Sequence, residues 1–216
     1  DIDGLSQPLV ADVMRVTAGS DHQYDLPLHY NGHITRVGFD VKSNVEERPV
    51  LGLANGYQHI WVDATSKPTS ANNAFVTWIN DDRFYTARWV PQAGSEAILA
   101  ESGANDPEFN LRREPMIVQR LAGGKNTVFA SILEAHGKYD GAAERTTDSD
   151  SQIKSIKLVQ TGKADLLLIE TLAGAKSVLA ISYDQDEAKK HTATVGGQKV
   201  SWTGYAAHVP LGRVAK

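Results

Sequence analysis

The chain has 216 residues, enough for one large all-β domain, and its 41% hydrophobic and 22% charged residues with 18 Gly and 8 Pro exclude collagen-like, coiled-coil and disordered classes. Lys plus Arg is 22 against 26 for Asp plus Glu, a net charge of −4, so a global basic footprint for nucleic acid or an acidic membrane is missing. With no cysteine, disulfides, thiolate-bound zinc, iron–sulfur clusters and thiol nucleophiles are excluded.

Short β-type runs separated by Gly, Asn, Asp and Pro dominate the chain, the spacing of an antiparallel all-β protein with little helix. The expected strands are Leu9 to Thr17, His33 to Lys42, Gln58 to Ala64, Ala74 to Ile79 and Arg83 to Val90, the last two flanking the turn Asn80-Asp81-Asp82. Further runs are Glu96 to Ala100, Met116 to Leu121, Thr127 to Glu134, Gln152 to Gln160, Ala164 to Thr171, Ser177 to Tyr183 and Lys199 to His208. In Thr127 to Glu134 both alternating faces are apolar, which suits a strand covered on two sides. Glycines predict hairpin connections at Gly123-Gly124-Lys125-Asn126, Leu172-Ala173-Gly174-Ala175 and Val195-Gly196-Gly197. Tyr139 to Ser151 is polar and long, so it reads as an exposed loop or a seam between halves. A single helical turn is expected around Asp186 to Lys190. No apolar run nears the ~18 residues of a membrane span, and a start at Asp1 without a signal-peptide pattern reads as a processed protein, an excised domain or a fragment.

Four of the seven histidines, His22, His29, His33 and His59, lie in the first 59 residues. His22 and Asp40 are 18 apart, and Asp40 and His59 are 19 apart, a spacing that adjacent strands can bring together as His/carboxylate zinc ligands; histidines bonded to backbone carbonyls at strand edges are the alternative. Tyr24, Tyr30, Tyr57, Trp61, Trp78, Tyr85 and Trp89 crowd the same third, as sugar platforms or as core rings. Arg112-Arg113 suits a carboxylate through bidentate forks or is a solvated pair at a strand end.

The strings His22-Gln23-Tyr24-Asp25-Leu26-Pro27-Leu28-His29-Tyr30 and Leu51-Gly52-Leu53-Ala54-Asn55-Gly56-Tyr57-Gln58-His59-Ile60-Trp61, with Asn110-Leu111-Arg112-Arg113-Glu114-Pro115 and Ser131-Ile132-Leu133-Glu134-Ala135-His136-Gly137, resemble the C-terminal part of heparinase II/III-type polysaccharide lyases, most of all alginate and oligoalginate lyases. The resemblance implies that residues 1–216 form one antiparallel β-sandwich of two packed sheets, with the family's α/α toroid absent from this chain and the substrate cleft between the two. It implies a structural zinc on His22, Asp40 and His59, with His29 and His33 as competing ligands. It further implies β-elimination on alginate or another acidic polysaccharide by a periplasmic or secreted enzyme, with the chain alone inactive.

Tyr57 is the first choice for a catalytic phenol, since two residues from His59 on a strand it faces the same side; a packed core ring is the alternative. Arg112, Arg113 and His29 are the expected substrate contacts. The competing function is a non-catalytic sandwich that binds carbohydrate or docks on a partner.

Overall fold

The computed structural model describes residues 2, 4–70, 74–103 and 113–211. Arg112 lies outside them. The described residues form strands β1 (Leu9–His29), β2 (His33–Val37), β3 (Lys42–Ser43), β4 (Ile60–Ser66), β5 (Phe75–Asn80), β6 (Arg83–Trp89), β7 (Glu96–Ser102) and β8 (Glu114–His136). These are followed by β9 (Lys138–Asp140), β10 (Arg145–Thr147), β11 (Ile153–Gln160), β12 (Ala164–Thr171), β13 (Lys176–Ser182), β14 (Lys190–Val195), β15 (Gln198–Thr203) and β16 (Ala206–Leu211). The fold is all-β and its strand pairs are antiparallel, as the alternation predicts. Among the described residues the one helical element is a 3₁₀ turn at Tyr57–His59, and no helix is long and apolar enough to cross a membrane.

The chain divides into two compact units. One comprises Val13–Asp81 and Pro91–Phe129. In it β3 pairs with β4, β4 with β7, and β7 with the first part of β8 in the register Ile98↔Val118 and Ala100↔Met116. Alternate residues of these strands turn inward, and Val62, Ile98, Ala100, Met116 and Val118 form a buried cluster against Leu51 and Ile60. The other comprises Asp1–Asp12, Asp82–Val90 and Ala130–Lys216. Here β6 pairs with the last part of β8, from Phe84↔His136 to Trp89↔Ser131. A four-stranded sheet runs β11-β12-β13-β16, beside the hairpin β14-β15. Its core is Ala164, Leu166, Val178, Ala180, Val195, Val200 and Trp202. His136 is buried and bonded on both ring nitrogens, to Thr86 Oγ1 at 2.8 Å and to the Asp148 carbonyl at 2.9 Å, so it is a satisfied core histidine.

Several expectations need correction. Gly123-Gly124-Lys125-Asn126 is not a turn: Gly123 takes φ +78°, yet β8 continues through it, fusing two expected strands into one of 23 residues. Chain partners on both sides outweigh a local glycine signal. Leu9 to Thr17 likewise extends to His29. The His33 to Lys42 run breaks between Val37 and Lys42, and Lys199 to His208 is two strands, β15 and β16. Asp186 to Lys190 holds only a turn, closed by Lys189 N–H donating to the Asp186 carbonyl at 3.2 Å. Within Tyr139 to Ser151, β9 and β10 make a small exposed hairpin, and the boundary between the units falls elsewhere. The hairpins at Gly174 and at Gly196-Gly197 form as expected, each of these glycines at positive φ, and consecutive Val128, Phe129 and Ala130 are all buried.

The turn from β1 to β2 depends on Gly32, at φ +100°, where a Cβ would sit 1.9 Å from the Ile79 carbonyl oxygen. Gly32→Ala is expected to cost about 1–3 kcal/mol of stability through the disfavoured backbone conformation, read as a lower denaturant midpoint at unchanged slope. An unchanged midpoint would show that this turn relaxes freely.

Candidate functional site

Strand β1 brings Asp25 beside Arg120 of β8. Arg120 grips the carboxylate with both fork positions, Nε to Oδ1 at 2.8 Å and Nη2 to Oδ2 at 2.7 Å, and the two side chains are only 18% and 8% exposed. A third partner arrives from the loop after Leu51. Asn55 and Gly56 take positive φ, which suits an Asn-Gly pair, and the chain then coils into the 3₁₀ turn, with Tyr57 N–H donating to the Ala54 carbonyl and His59 N–H to that of Gly56. This presents Tyr57, whose hydroxyl donates to Asp25 Oδ2 at 2.6 Å, with the Arg120 guanidinium 5.8 Å from its ring centroid.

The electrostatics follow from this contact set. Burial pushes the Asp25 carboxyl up, but the hydrogen bonds from Arg120 and Tyr57 and the Arg120 charge outweigh it and hold the group below its usual range. Tyr57 moves the opposite way: its bond to Asp25, then burial, then the Asp25 charge raise it above the usual phenol value. The hydroxyl therefore keeps its proton.

Asp25 and Tyr57 line a cavity of about 640 Å³ with Pro27, His29, His59 and Glu114 among its walls, within the ~300–1,000 Å³ range of ligand sites. Tyr57, His29 and His59, three of the residues expected from sequence, thus share one cavity. Tyr57 and His59 do so on a 3₁₀ turn and not on the expected strand.

Beside this cavity Arg48 donates to Asp63 Oδ1 from Nε and Nη2 at 3.0 and 2.8 Å, and reaches Glu101 at 2.5 Å. Burial, followed by the Asp63 and Glu101 charges, pushes Tyr30 up to about 12. Arg113 lies 4.5 Å over the Trp61 ring and 3.6 Å from Glu101, so its charge is already engaged within the protein. Trp78 and Trp89 are core rings, 5% and 3% exposed.

The expected zinc ligands are not assembled. His59 is at the cavity, Asp40 lines a separate hollow with Lys42 and Lys67, and His22 on β1 bonds Ser20 Oγ at 3.0 Å. Among the described residues no group of three or more His, Asp or Glu side chains is arranged to hold a metal. The residues in this arrangement do not fit a zinc centre, and no chemical step is assigned to one. Neither spacing nor motif picks out Asp25 with Arg120 from the sequence. One signal was present: an arginine inside the apolar run Met116-Ile117-Val118-Gln119-Arg120-Leu121 requires a carboxylate or solvent, because an unpaired charge is costly to bury.

Residues 173–209 match the family described as exo-oligoalginate lyase-like, C-terminal domain. The chain is 43% identical over 209 residues to an alginate lyase of Stenotrophomonas maltophilia (strain K279a), covering 97% of this chain and 28% of that protein. It is 37% identical over 211 residues to an exo-oligoalginate lyase of Saccharophagus degradans, covering 96% and 28%. The chain thus spans a little over a quarter of the length of these relatives. Across nearly its whole length the chain is similar to an alginate lyase and an exo-oligoalginate lyase, and its residues 173–209 match the exo-oligoalginate lyase-like C-terminal domain.

Proposed function

We propose that this chain is the C-terminal part of a polysaccharide lyase that cleaves alginate or its oligosaccharides by β-elimination, and that the Asp25–Tyr57–His59 cavity is one wall of its cleft. The observation that carries the reading is Tyr57: a phenol held protonated by Asp25 on the wall of a ligand-sized cavity. In the elimination a base takes the C5 proton, the C4–C5 double bond forms as the C4–O4 bond breaks, and the departing O4 takes a proton. Tyr57 suits the last step. Rotation about its C–O bond turns the proton from Asp25 toward a substrate oxygen, and the nearby Arg120 charge offsets the developing phenolate. The raised acidity constant speaks against Tyr57 as the resting base. His29 and His59 line the same cavity, and His29 is assigned to a substrate carboxylate, with Arg112 farther along the chain; Arg113 could join them only by giving up its contacts with Trp61 and Glu101.

The remaining length of the relatives would supply the opposite wall, as a toroid domain in the resemblance stated above, with the base and the groups that neutralise the substrate carboxylate. Alginate is a large acidic polymer, so the enzyme is placed in the periplasm or outside the cell.

The 216-residue chain alone is expected to show no turnover, because groups of that kind are each worth orders of magnitude in rate. A longer polypeptide spanning the rest of the relatives' length is expected to generate unsaturated uronate from alginate oligosaccharides, followed by ultraviolet absorbance. Absence of product from that polypeptide on every polyuronate offered would overturn the reading, and turnover by the isolated chain would overturn the two-walled cleft.

A further inference from the structure

A second cavity of about 640 Å³ lies wholly in the other unit, where the β11–β12 and β13–β14 connections meet the β14-β15 hairpin. Its chemistry differs from that of the first. Three lysines, Lys163, Lys189 and Lys190, line it. Lys189 is paired with Asp184, whereas Lys163 and Lys190 have no ion-pair partner among the described residues. At the floor His191 and Trp202 face each other across the hairpin as register partners, their rings stacked at 5.2 Å and 27°. Trp202 is 7% exposed, and neither its Nε1 nor the His191 Nε2 has a hydrogen-bond partner among the described residues.

These two atoms are the significant observation. A buried indole N–H left without an acceptor is costly, and native proteins rarely retain such a group without a use for it. The walls are also fixed before any ligand arrives. Thr161 Oγ1 accepts from the Lys163 and Ala164 N–H groups at 3.2 and 2.9 Å, which holds the Lys163 turn, and Tyr183 N–H donates to the Lys163 carbonyl at 2.9 Å. The Tyr183 hydroxyl is tied to the buried Asp165 at 3.0 Å, which steadies a ring that is 42% exposed at the cavity.

We infer that this cavity is a second, non-catalytic binding site for an anionic sugar, which takes a uronate carboxylate on Lys163 and Lys190 and its hydroxyls on the neutral donors and acceptors of the floor. A bare inorganic anion would leave most of a cavity this size unfilled. A neutral sugar would make no use of the charge of the two lysines in the wall. The choice of uronate among anionic sugars rests on the lyase reading, but the site shares no residue with the first cavity. Its role would be to hold the polymer, or a released product, without turning it over.

The test titrates the 216-residue chain with an alginate trisaccharide while following the indole N–H resonance of Trp202 by NMR, assigned by its loss in Trp202→Phe. Saturable movement of that resonance is expected, with affinity falling at least tenfold in the double variant Lys163→Gln/Lys190→Gln, weakening as salt is raised, and unchanged in Tyr57→Phe. Maltotriose and inorganic phosphate serve as the neutral and the sugar-free probes, and each is expected to move the resonance far less. An unmoved Trp202 resonance would overturn the site, as would equal affinity in the double lysine variant. Equal binding of maltotriose or of phosphate would overturn the anionic-sugar assignment. None of these outcomes depends on turnover, so failure of the lyase reading would leave its own separate mark, in the absence of product from the longer polypeptide.

Discussion

Tyr57→Phe, in a polypeptide that carries the complete cleft, is expected to lower kcat by about 10²–10⁴-fold with KM changed little, the range for losing a positioned proton donor. The substitution removes one oxygen and leaves the ring that lines the cavity. Asp25 retains both bonds from Arg120, so the fold should be nearly unaffected and the loss should be one of rate. A second readout separates a proton donor from a merely structural phenol. Tyr57 is held above its usual value by Asp25, so the wild-type rate should persist until pH rises beyond the ordinary phenol range of ~10 and fall only there. The residual rate of the Phe variant should lack that alkaline limb. A kcat within a few-fold of wild type would remove Tyr57 from the chemistry.

Arg120→Ala is expected to be the most destabilising of the substitutions considered, at about 3–5 kcal/mol near neutral pH, the cost of leaving a buried charge without its partner. The Asp25 side chain, 8% exposed, would retain only the Tyr57 hydroxyl and Gln23 as donors. The pH dependence follows from the direction of the Asp25 shift. Its folded value lies below that of the unfolded chain, so the stabilisation is fully present above about pH 4 and is lost as pH falls through the folded value. The gap between wild type and Arg120→Ala should therefore narrow in acid. Denaturant titrations near neutrality and below about pH 3 would check it, and adding Asp25→Asn to Arg120→Ala should recover part of the loss, because the orphaned charge is gone. A gap that stays constant with pH would show that Asp25 is not the group concerned.

How legible these features were depended on how local their causes are. The β12–β13 and β14–β15 hairpins could be read because glycine and strand alternation act within a few residues, and β12 runs from Ala164 to Thr171 as its pattern predicts. The fused β8 could not, since nothing inside Gly123 to Asn126 records that the flanking segments have sheet partners. The continuation of β1 past Thr17 is hidden for the same reason, since its stretch from Gly19 to Asp25 is largely polar. The site divides in the same way. Tyr57 could be named from its place two residues from His59, and His29 and His59 from the family resemblance, His59 as a zinc ligand; all three line one cavity. The pairing that sets the state of Tyr57, Asp25 with Arg120, joins positions 95 residues apart, and no spacing rule reaches that far.

That separation also bears on the order in which the two cavities take shape as the chain folds. His191 and Trp202 are eleven residues apart and meet through a hairpin, an element that closes in about 1–10 μs. Bringing Asp25 to Arg120 closes a loop of 95 residues, which by the logarithmic law costs about 2 kcal/mol more in chain entropy. The floor of the second cavity is thus encoded by its own neighbourhood and can form before much else is in place. The carboxylate–guanidinium clamp under Tyr57 is not available until strands from distant parts of the sequence have found one another. A newly made chain would hold the pieces of a sugar-binding floor well before it held a phenol set for proton transfer.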